Sequence, residues 1–238
     1  MIRLARKYHK WLMAFVGIQF LFWSVTGFYM VSVDIHYIHG ESLQKGADTK
    51  VDLGQVSYTI PQLLGTYPEA KEVNLGLLMS KPVYRFRVAE PESKSKWHVI
   101  DAKTGQILPE IDKTLASEIA RFYYAEQHQI KSLNLITDEE NKPSELSARH
   151  LPVWQVKFEH FNSPTFYVSQ QSGRIVTKRH DFWRLFDWMW RFHIMDYDDG
   201  QNVSNWFLLV VGLLGLVSAI SGLVLTYIRV VKSKEVNV

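Results

Sequence analysis

Trp206-Phe-Leu-Leu-Val-Val-Gly-Leu-Leu-Gly-Leu-Val-Ser-Ala-Ile-Ser-Gly-Leu-Val-Leu-Thr-Tyr-Ile228 runs for 23 residues without a charge. Trp11 to Val33 is a second charge-free run of 23 residues. At 1.5 Å rise per residue, a helix of that length covers about 34 Å, against a hydrocarbon core of about 30 Å. Both read as transmembrane helices. The alternative for the first is a cleavable signal peptide, but the run is too long for an h-region and no A-x-A-like site follows it. The alternative for the second, a buried core helix, does not suit its length.

The flanks set the orientation. Arg3, Arg6, Lys7 and Lys10 precede the first run with no acid among them, and Arg229, Lys232 and Lys234 follow the second against Glu235 alone. The positive-inside rule then predicts cytoplasmic N- and C-termini and an exported region from about 34 to 204. That region carries 20 basic and 23 acidic residues. The 238-residue chain has no cysteine, which excludes disulfides, thiolate-held Fe–S clusters, thiolate-ligated haem and C-x-x-C-H haem attachment. An exported domain without cysteine needs no oxidising machinery, which leans toward a bacterial periplasm and hence an inner-membrane location. A net charge of +3 is too balanced for a nucleic-acid binder.

Inside the exported region a pattern recurs at a spacing near 70 residues. Lys81-Pro-Val-Tyr-Arg-Phe-Arg-Val88 and His98-Val-Ile-Asp-Ala-Lys-Thr-Gly-Gln-Ile107 form the first copy. Leu151-Pro-Val-Trp-Gln-Val-Lys-Phe158 and Phe166-Tyr-Val-Ser-Gln-Gln-Ser-Gly-Arg-Ile175 form the second. Each is an alternating strand, a turn, and a second strand broken by Thr-Gly or Ser-Gly. Helical candidates precede them, at Thr59 to about Tyr67 and Leu115 to about Gln127, the latter with Ser117, Ala120, Tyr124 and His128 on one stripe. The expectation is two α-β-β units that pack on one another, since neither is large enough to bury much alone.

Asp181-Phe-Trp-Arg-Leu-Phe-Asp-Trp-Met-Trp-Arg-Phe-His193 follows, with three Trp and three Phe among thirteen residues. Its interleaved charges suit an interfacial helix. Asp196-Tyr-Asp-Asp-Gly200 ends it, and Asn202 or Ser204 is placed to cap the second span. The expected organisation is 1–40 for the N-terminal flank and first span, 41–112 and 113–180 for the two units, 181–203 for the aromatic segment, and 204–238 for the second span and tail. The fold class is an α+β integral membrane protein, its two transmembrane helices flanking a periplasmic domain.

Candidate chemistry begins with histidines at the membrane borders. His9 precedes the first span, His36 and His39 follow it, and His193 precedes the second. Each is a candidate haem ligand, proton carrier or metal ligand, or an interfacial residue pairing with headgroups. Two spans make a poor container, whereas a homodimer gives a four-helix bundle. A twofold axis along the membrane normal brings His9 beside its symmetry mate, and likewise His193. Each pair can then clamp one haem iron, or His193 can pair with His36 or His39. Gly17, Ser24 and Gly27, with Gly212, Gly215, Ser218, Ala219 and Gly222, leave room for a flat macrocycle or for close helix packing. Asp196, Asp198 and Asp199 form an acid cluster able to hold ferric iron or Ca²⁺, although a solvated turn accounts for them as well. His98, His128, His150, His160 and His180 are scattered without H-x-x-H or H-E-x-x-H spacing and read as surface or packing residues. No G-x-S-x-G, phosphate-binding loop or dinucleotide fingerprint is present.

Tyr8-His9-Lys10-Trp11 and the apolar run ending Ser24-Val-Thr-Gly27 resemble the opening of PepSY-associated transmembrane proteins. Ile100-Asp-Ala-Lys-Thr-Gly105 and Leu151-Pro-Val-Trp-Gln-Val156 resemble PepSY domains. Trp183-Arg-Leu-Phe-Asp-Trp188 and Phe192-His193-Ile-Met-Asp-Tyr197 resemble the segment before the last helix of compact two-span members, with Phe192 where leucine is usual. The resemblance implies similarity to bacterial inner-membrane siderophore reductases carrying b-type haems, and to two-span proteins linked to ferric-iron reduction that feeds ferrous uptake. It carries the helix-entry histidine onto His9 and the histidine before the final span onto His193.

Three readings remain open at this level. The first is a homodimeric oxidoreductase binding haem b, which takes electrons from a quinol or a cytoplasmic reductase and passes them to ferric iron or a ferric chelate. The second is a non-redox, membrane-anchored PepSY binding or regulatory module. The third is an iron-handling accessory protein that binds iron through Asp196, Asp198 and Asp199.

Overall fold

The computed structural model describes residues 2–45, 50–89, 96–198 and 200–236. The chain divides into two units, one made of Met1–Ile35 with Leu185–Val238, the other of His36–Arg184. Helix α5 (Asp181–Ile194) carries the chain from the second to the first.

The first unit is built on α1 (Ile2–Ser32) and α6 (Trp206–Val236). Gly215 approaches Val16, Ser218 bonds Met13, and Ser221 bonds His9. Rising numbers in α6 therefore meet falling numbers in α1, so the two helices run antiparallel. Arg6–Ser32 and Trp206–Val231, 27 and 26 residues, are long and apolar enough to cross a membrane. Large apolar side chains such as Trp11, Phe15, Phe28, Leu209, Leu216 and Leu223 point away from the pair. Outward apolar surface on a helix pair is the pattern that lipid accommodates and water does not. Asn205, rather than Asn202 or Ser204, caps α6: its Oδ1 accepts the Leu208 N–H at 2.8 Å. Asn202 instead accepts the Ser204 N–H, closing the turn ahead of the cap.

The second unit holds two antiparallel sheets. A short helix, α2 (Ile35–Ile38), leads into it. Helix α3 (Ile60–Thr66) precedes the order β1 (Lys71–Leu78), β2 (Lys81–Val88), β3 (Lys96–Asp101). Helix α4 (Lys113–Tyr123) precedes β4 (Ile130–Ile136), β5 (Val153–Phe158), β6 (Thr165–Ser169), β7 (Ile175–Arg179). Both helices start where the sequence supplies caps. Thr59 and Gln62 form a reciprocal capping box, and Asp112 accepts the Leu115 N–H at 2.7 Å.

Each half has more strands than the expected α-β-β. The additions β1 and β4 are edge strands, broken by bulges at Lys71/Asn74 and Ile130/Ser132. Their alternation is short, Val73-Asn74-Leu75-Gly76-Leu77 and Leu133-Asn134-Leu135, and the bulges cut it off on the N-terminal side. Helix α4 ends at Tyr123, leaving Tyr124 and His128 beyond the helix; Ala116, Ile119 and Ala120 form its buried face.

The recurrence runs deeper than two strands. After Gly105 the chain returns so that Ile107 bridges Ile100; after Gly173 it returns so that Ile175 pairs with Val168. The first return is a single bridge and the second becomes β7. Both glycines have left-handed backbones (φ 73° and 64°), and a Cβ would come within 2.6 Å of Tyr58 or 2.7 Å of Leu78.

Leu63 of α3 packs on Tyr84, Phe86, Ile100 and Ala102. Ala116, Ile119 and Ala120 of α4 pack on Val156, Phe158, Phe166 and Val168, together with Leu78, Val83 and Val99 from the first sheet. The two halves thus share one core. Buried Arg85 latches them, donating to the Ser172 carbonyl at 2.8 Å and the Leu77 carbonyl at 3.0 Å.

Candidate functional site

Two histidines in the helical unit are held by the same device. Thr26 sits one turn beyond Phe22 on α1 and gives its hydroxyl proton to the Phe22 carbonyl at 2.7 Å. Its oxygen lies 2.9 Å from His193 Nδ1. With its proton committed, the oxygen accepts, so His193 carries its hydrogen on Nδ1. On α6, Ser221 donates to the Ser218 carbonyl at 2.9 Å and lies 2.8 Å from His9 Nδ1. The same logic fixes His9 as the Nδ1–H tautomer. In both rings Nε2 meets no donor among the described residues. A neutral imidazole whose second nitrogen is pinned by an outer hydrogen bond is the form that ligates metals.

Glycine faces both rings. A Cβ at Gly222 would stand 3.1 Å from His9 Cε1, and one at Gly27 would stand 3.7 Å from His193 Cε1. Trp23 adds a hydrogen bond from its indole to the His193 carbonyl at 2.8 Å. Between the two levels, the side-chain Nε2 of Gln19 is buried with no acceptor. Gly17 and Gly212 have open space where a Cβ would be.

The other predicted residues are engaged differently. His36 pairs with Glu41 at 3.1 Å, both exposed. His39 lies against Trp183, ring centroids 5.2 Å apart, and the Arg179 guanidinium stands 3.7 Å over that same indole. Asp196 spends its carboxylate on backbone, accepting the N–H groups of Asp198 at 3.3 Å and Asn202 at 2.9 Å. Asp198 is exposed, and its carbonyl takes a bond from Arg191. Asp199 lies outside the described residues.

Residues that looked scattered in the sequence come together elsewhere. Glu126, His128 and His160 bring one ligand atom each to within 4.8 Å of the others. His128 Nε2 is 2.8 Å from Glu126 Oε2, and His160 Nε2 is 3.7 Å from the same oxygen. Strand register explains the meeting. Ile130 pairs with Phe158, and the Glu159 N–H continues the ladder to the Gln129 carbonyl at 2.8 Å. Two residues further out on each strand stand His128 and His160. The only sequence trace of the site is the pair Glu126-x-His128; the third member is separated by more than thirty residues and becomes visible only once β4 and β5 are paired.

The electrostatics of the sheet unit centre on Arg184 and His180. Arg184 forks onto Glu145 at 2.7 and 2.9 Å and reaches Asp181 at 2.8 Å. Burial opposes ionisation of Glu145, but the Arg184 guanidinium and the Tyr167 hydroxyl outweigh it and hold the carboxyl below its ordinary value. His180 is fully buried and donates from Nε2 to the carbonyls of Tyr37 and Ile38. Burial pushes its imidazole below its ordinary value, and Nδ1 meets no donor.

No family model, curated protein or solved structure matches this chain. Function therefore has to be argued from these side chains.

Proposed function

We propose that this protein is a membrane electron carrier in which His9 and His193 ligate b-type haem, passing electrons to ferric iron or a ferric chelate outside an inner membrane. One observation carries the proposal: a hydroxyl that also reaches a backbone carbonyl stands against Nδ1 of each imidazole, once on each helix, which leaves Nε2 as the nitrogen to present. A merely interfacial histidine has no need of a preset tautomer, nor of a glycine beside it.

The residues fit the group. His9 and the Thr26–His193 contact are separated by 17 positions of α1, about 26 Å of helix. One haem cannot bridge that span, so the two rings serve two sites near opposite ends of the helix pair. Each chain would offer one imidazole per site, and a second copy would supply the other. The open faces at Gly17 and Gly212 leave space for such an approach between helices. Gln19, with a buried amide nitrogen lacking an acceptor, is a donor facing the interior between the two levels. Bound haem supplies a reversible one-electron couple. The protein's own contribution is to present Nε2, to fix the ring planes through Ser221 and Thr26, and to exclude water with Trp23, Phe22 and Phe192. The stacked pair Phe22–Phe192, 6.2 Å between centroids, flanks the His193 end.

With basic residues flanking both helix ends, His9 takes the cytoplasmic level and His193 the outer one. That order suits outward electron flow from a quinol or a cytoplasmic reductase, toward an acceptor met by the PepSY-like sheet unit. The test is the visible spectrum of the purified full-length protein, expressed with ample haem, oxidised and then dithionite-reduced. A sharpened, red-shifted bis-histidine spectrum is expected, and reoxidation by a ferric chelate should follow. A flat visible region overturns the haem reading and leaves the anchored binding module.

A further inference from the structure

We propose that Glu126, His128 and His160 form an exchangeable binding site for one divalent transition-metal ion of the Zn²⁺ or Fe²⁺ class. This site is independent of the haem reading and lies wholly within the sheet unit.

The donor set decides the class. Two imidazoles and one carboxylate are borderline ligands, suited to Zn²⁺ and Fe²⁺, whereas Ca²⁺ and Mg²⁺ call for oxygen throughout. The three ligand atoms lie within 4.8 Å of one another, so they reach one ion at ordinary bond lengths of about 2.0–2.2 Å with small side-chain rotations. Three protein ligands leave a fourth position to water. Glu126 and His128 are half exposed or nearly so, at 50% and 37%, whereas His160 is at 18%. An ion can therefore enter and leave from the Glu126 side.

The outer contacts match those of a metal site. His160 Nδ1 lies against the Asn162 side-chain oxygen, and the Asn162 N–H points at the same nitrogen from 3.5 Å. Asn162 is buried, and its Nδ2 points to the Tyr37 hydroxyl at 3.5 Å, which leaves the oxygen free to accept. His160 is thereby held with Nε2 toward Glu126. The turn carrying His160 is closed by the Ser163 N–H to the His160 carbonyl at 3.0 Å, and Asn162 accepts the Asp181 N–H at 2.8 Å. On the other side, buried Tyr124 directs its hydroxyl at Glu126 Oε2 from 3.4 Å. His128 Nε2 and Glu126 Oε2 already stand 2.8 Å apart, and an ion entering between them displaces any hydrogen there to solvent. A simple surface ion pair accounts for His128 and Glu126 but not for the third ring, turned to the same carboxylate oxygen and braced by a buried amide.

The experiment uses the full chain in detergent, stripped with a chelator and titrated with Zn²⁺ by calorimetry, with metal content measured afterward. One high-affinity equivalent per chain is expected, together with a rise in the unfolding temperature of the sheet unit. His128→Gln, in an exposed loop, and Glu126→Gln should each weaken binding by at least about 100-fold and abolish the thermal shift. Asn162→Ala, which removes the brace together with the contact to the Tyr37 hydroxyl, should weaken it by about 10- to 100-fold. His9→Ala with His193→Ala should leave it unchanged. Absence of a stoichiometric equivalent overturns the proposal, as does Zn²⁺ affinity that survives in both Gln variants while their unfolding temperatures without metal match the parent's.

Discussion

The two histidine arrangements solve opposite problems with the same side chain. In the helical unit each ring stands alone, its tautomer set by Thr26 or Ser221, and offers a single ligand. In the sheet unit two rings and a carboxylate converge within one chain. A lone preset ligand is useful only for a cofactor that brings most of its own coordination, or when a second subunit completes the set. A convergent triad is complete by itself. The difference teaches that geometry, rather than histidine count, separates what a lone ring can hold from what a convergent triad can hold.

The largest expected effect breaks the comparison if it fails. His193→Ala and His9→Ala should each abolish the low-spin signal of one haem, with Zn²⁺ binding at the sheet unit intact. Glu126→Gln should do the reverse. Spectra and metal content measured on the same preparations give the answer. Cross-loss, in which Glu126→Gln removes haem or His9→Ala removes Zn²⁺, would show the two sites to be one system.

Next in size is a stability effect confined to one unit. Arg184→Met leaves Glu145, 11% exposed, without its counter-charge. Breaking a buried ion pair costs about 3–5 kcal/mol, and the partial exposure of Arg184 reduces that to about 2–3 kcal/mol. Urea unfolding followed by near-UV circular dichroism should register the loss in the sheet unit. Haem absorbance should persist to higher denaturant, because His9 and His193 belong to the other unit.

These two effects also mark how far the sequence could be read. The spans were legible because 23 uncharged residues carry their own length argument, and the contacts from Val16 to Gly215 bear on nothing more than helix packing. The recurrence was legible at β2 and β5, whose faces alternate, and at the turns where Gly105 and Gly173 need left-handed backbones. Edge strands β1 and β4 were not, because bulges at Lys71/Asn74 and Ile130/Ser132 leave each with only a short alternating stretch. His9 and His193 were singled out by position, but their pinning hydroxyls were not, since Thr26 and Ser221 look like ordinary small residues of a span. His128 and His160 have no ligand spacing along one chain segment; theirs exists only across the β4–β5 pair.

The hydroxyls provide a finer test. Thr26→Val and Ser221→Ala keep the packing volume nearly constant and free the Nδ1 hydrogen. Haem affinity at the affected site should fall by about 10- to 100-fold, and its midpoint potential should shift, without loss of the protein's fold. Asn162→Ala is the counterpart in the sheet unit. If Thr26→Val leaves both affinity and potential unmoved, the preset tautomer has no bearing on ligation, and His193 is better understood as a packing residue.

The smallest effect concerns acid. His180 is buried neutral, and its folded-state affinity for a proton is held below the ordinary value of 6.5. The unfolded chain binds that proton more readily, so the stability contribution is full above about pH 6.5 and declines as the pH falls below it. Protonation would place a charge beside Arg184 and require Nδ1–H to be buried without an acceptor; the field of Asp181 opposes this only in part. Glu145 acts lower: its depressed carboxyl contributes fully above its ordinary 4.5 and loses that contribution as the pH drops further. Urea midpoints of the sheet unit should therefore fall in two steps on acidification. His180→Gln, whose amide can still donate to the Tyr37 and Ile38 carbonyls, should remove the upper step and leave the lower. Retention of the upper step in His180→Gln would show that burial of the His180 imidazole does not set it.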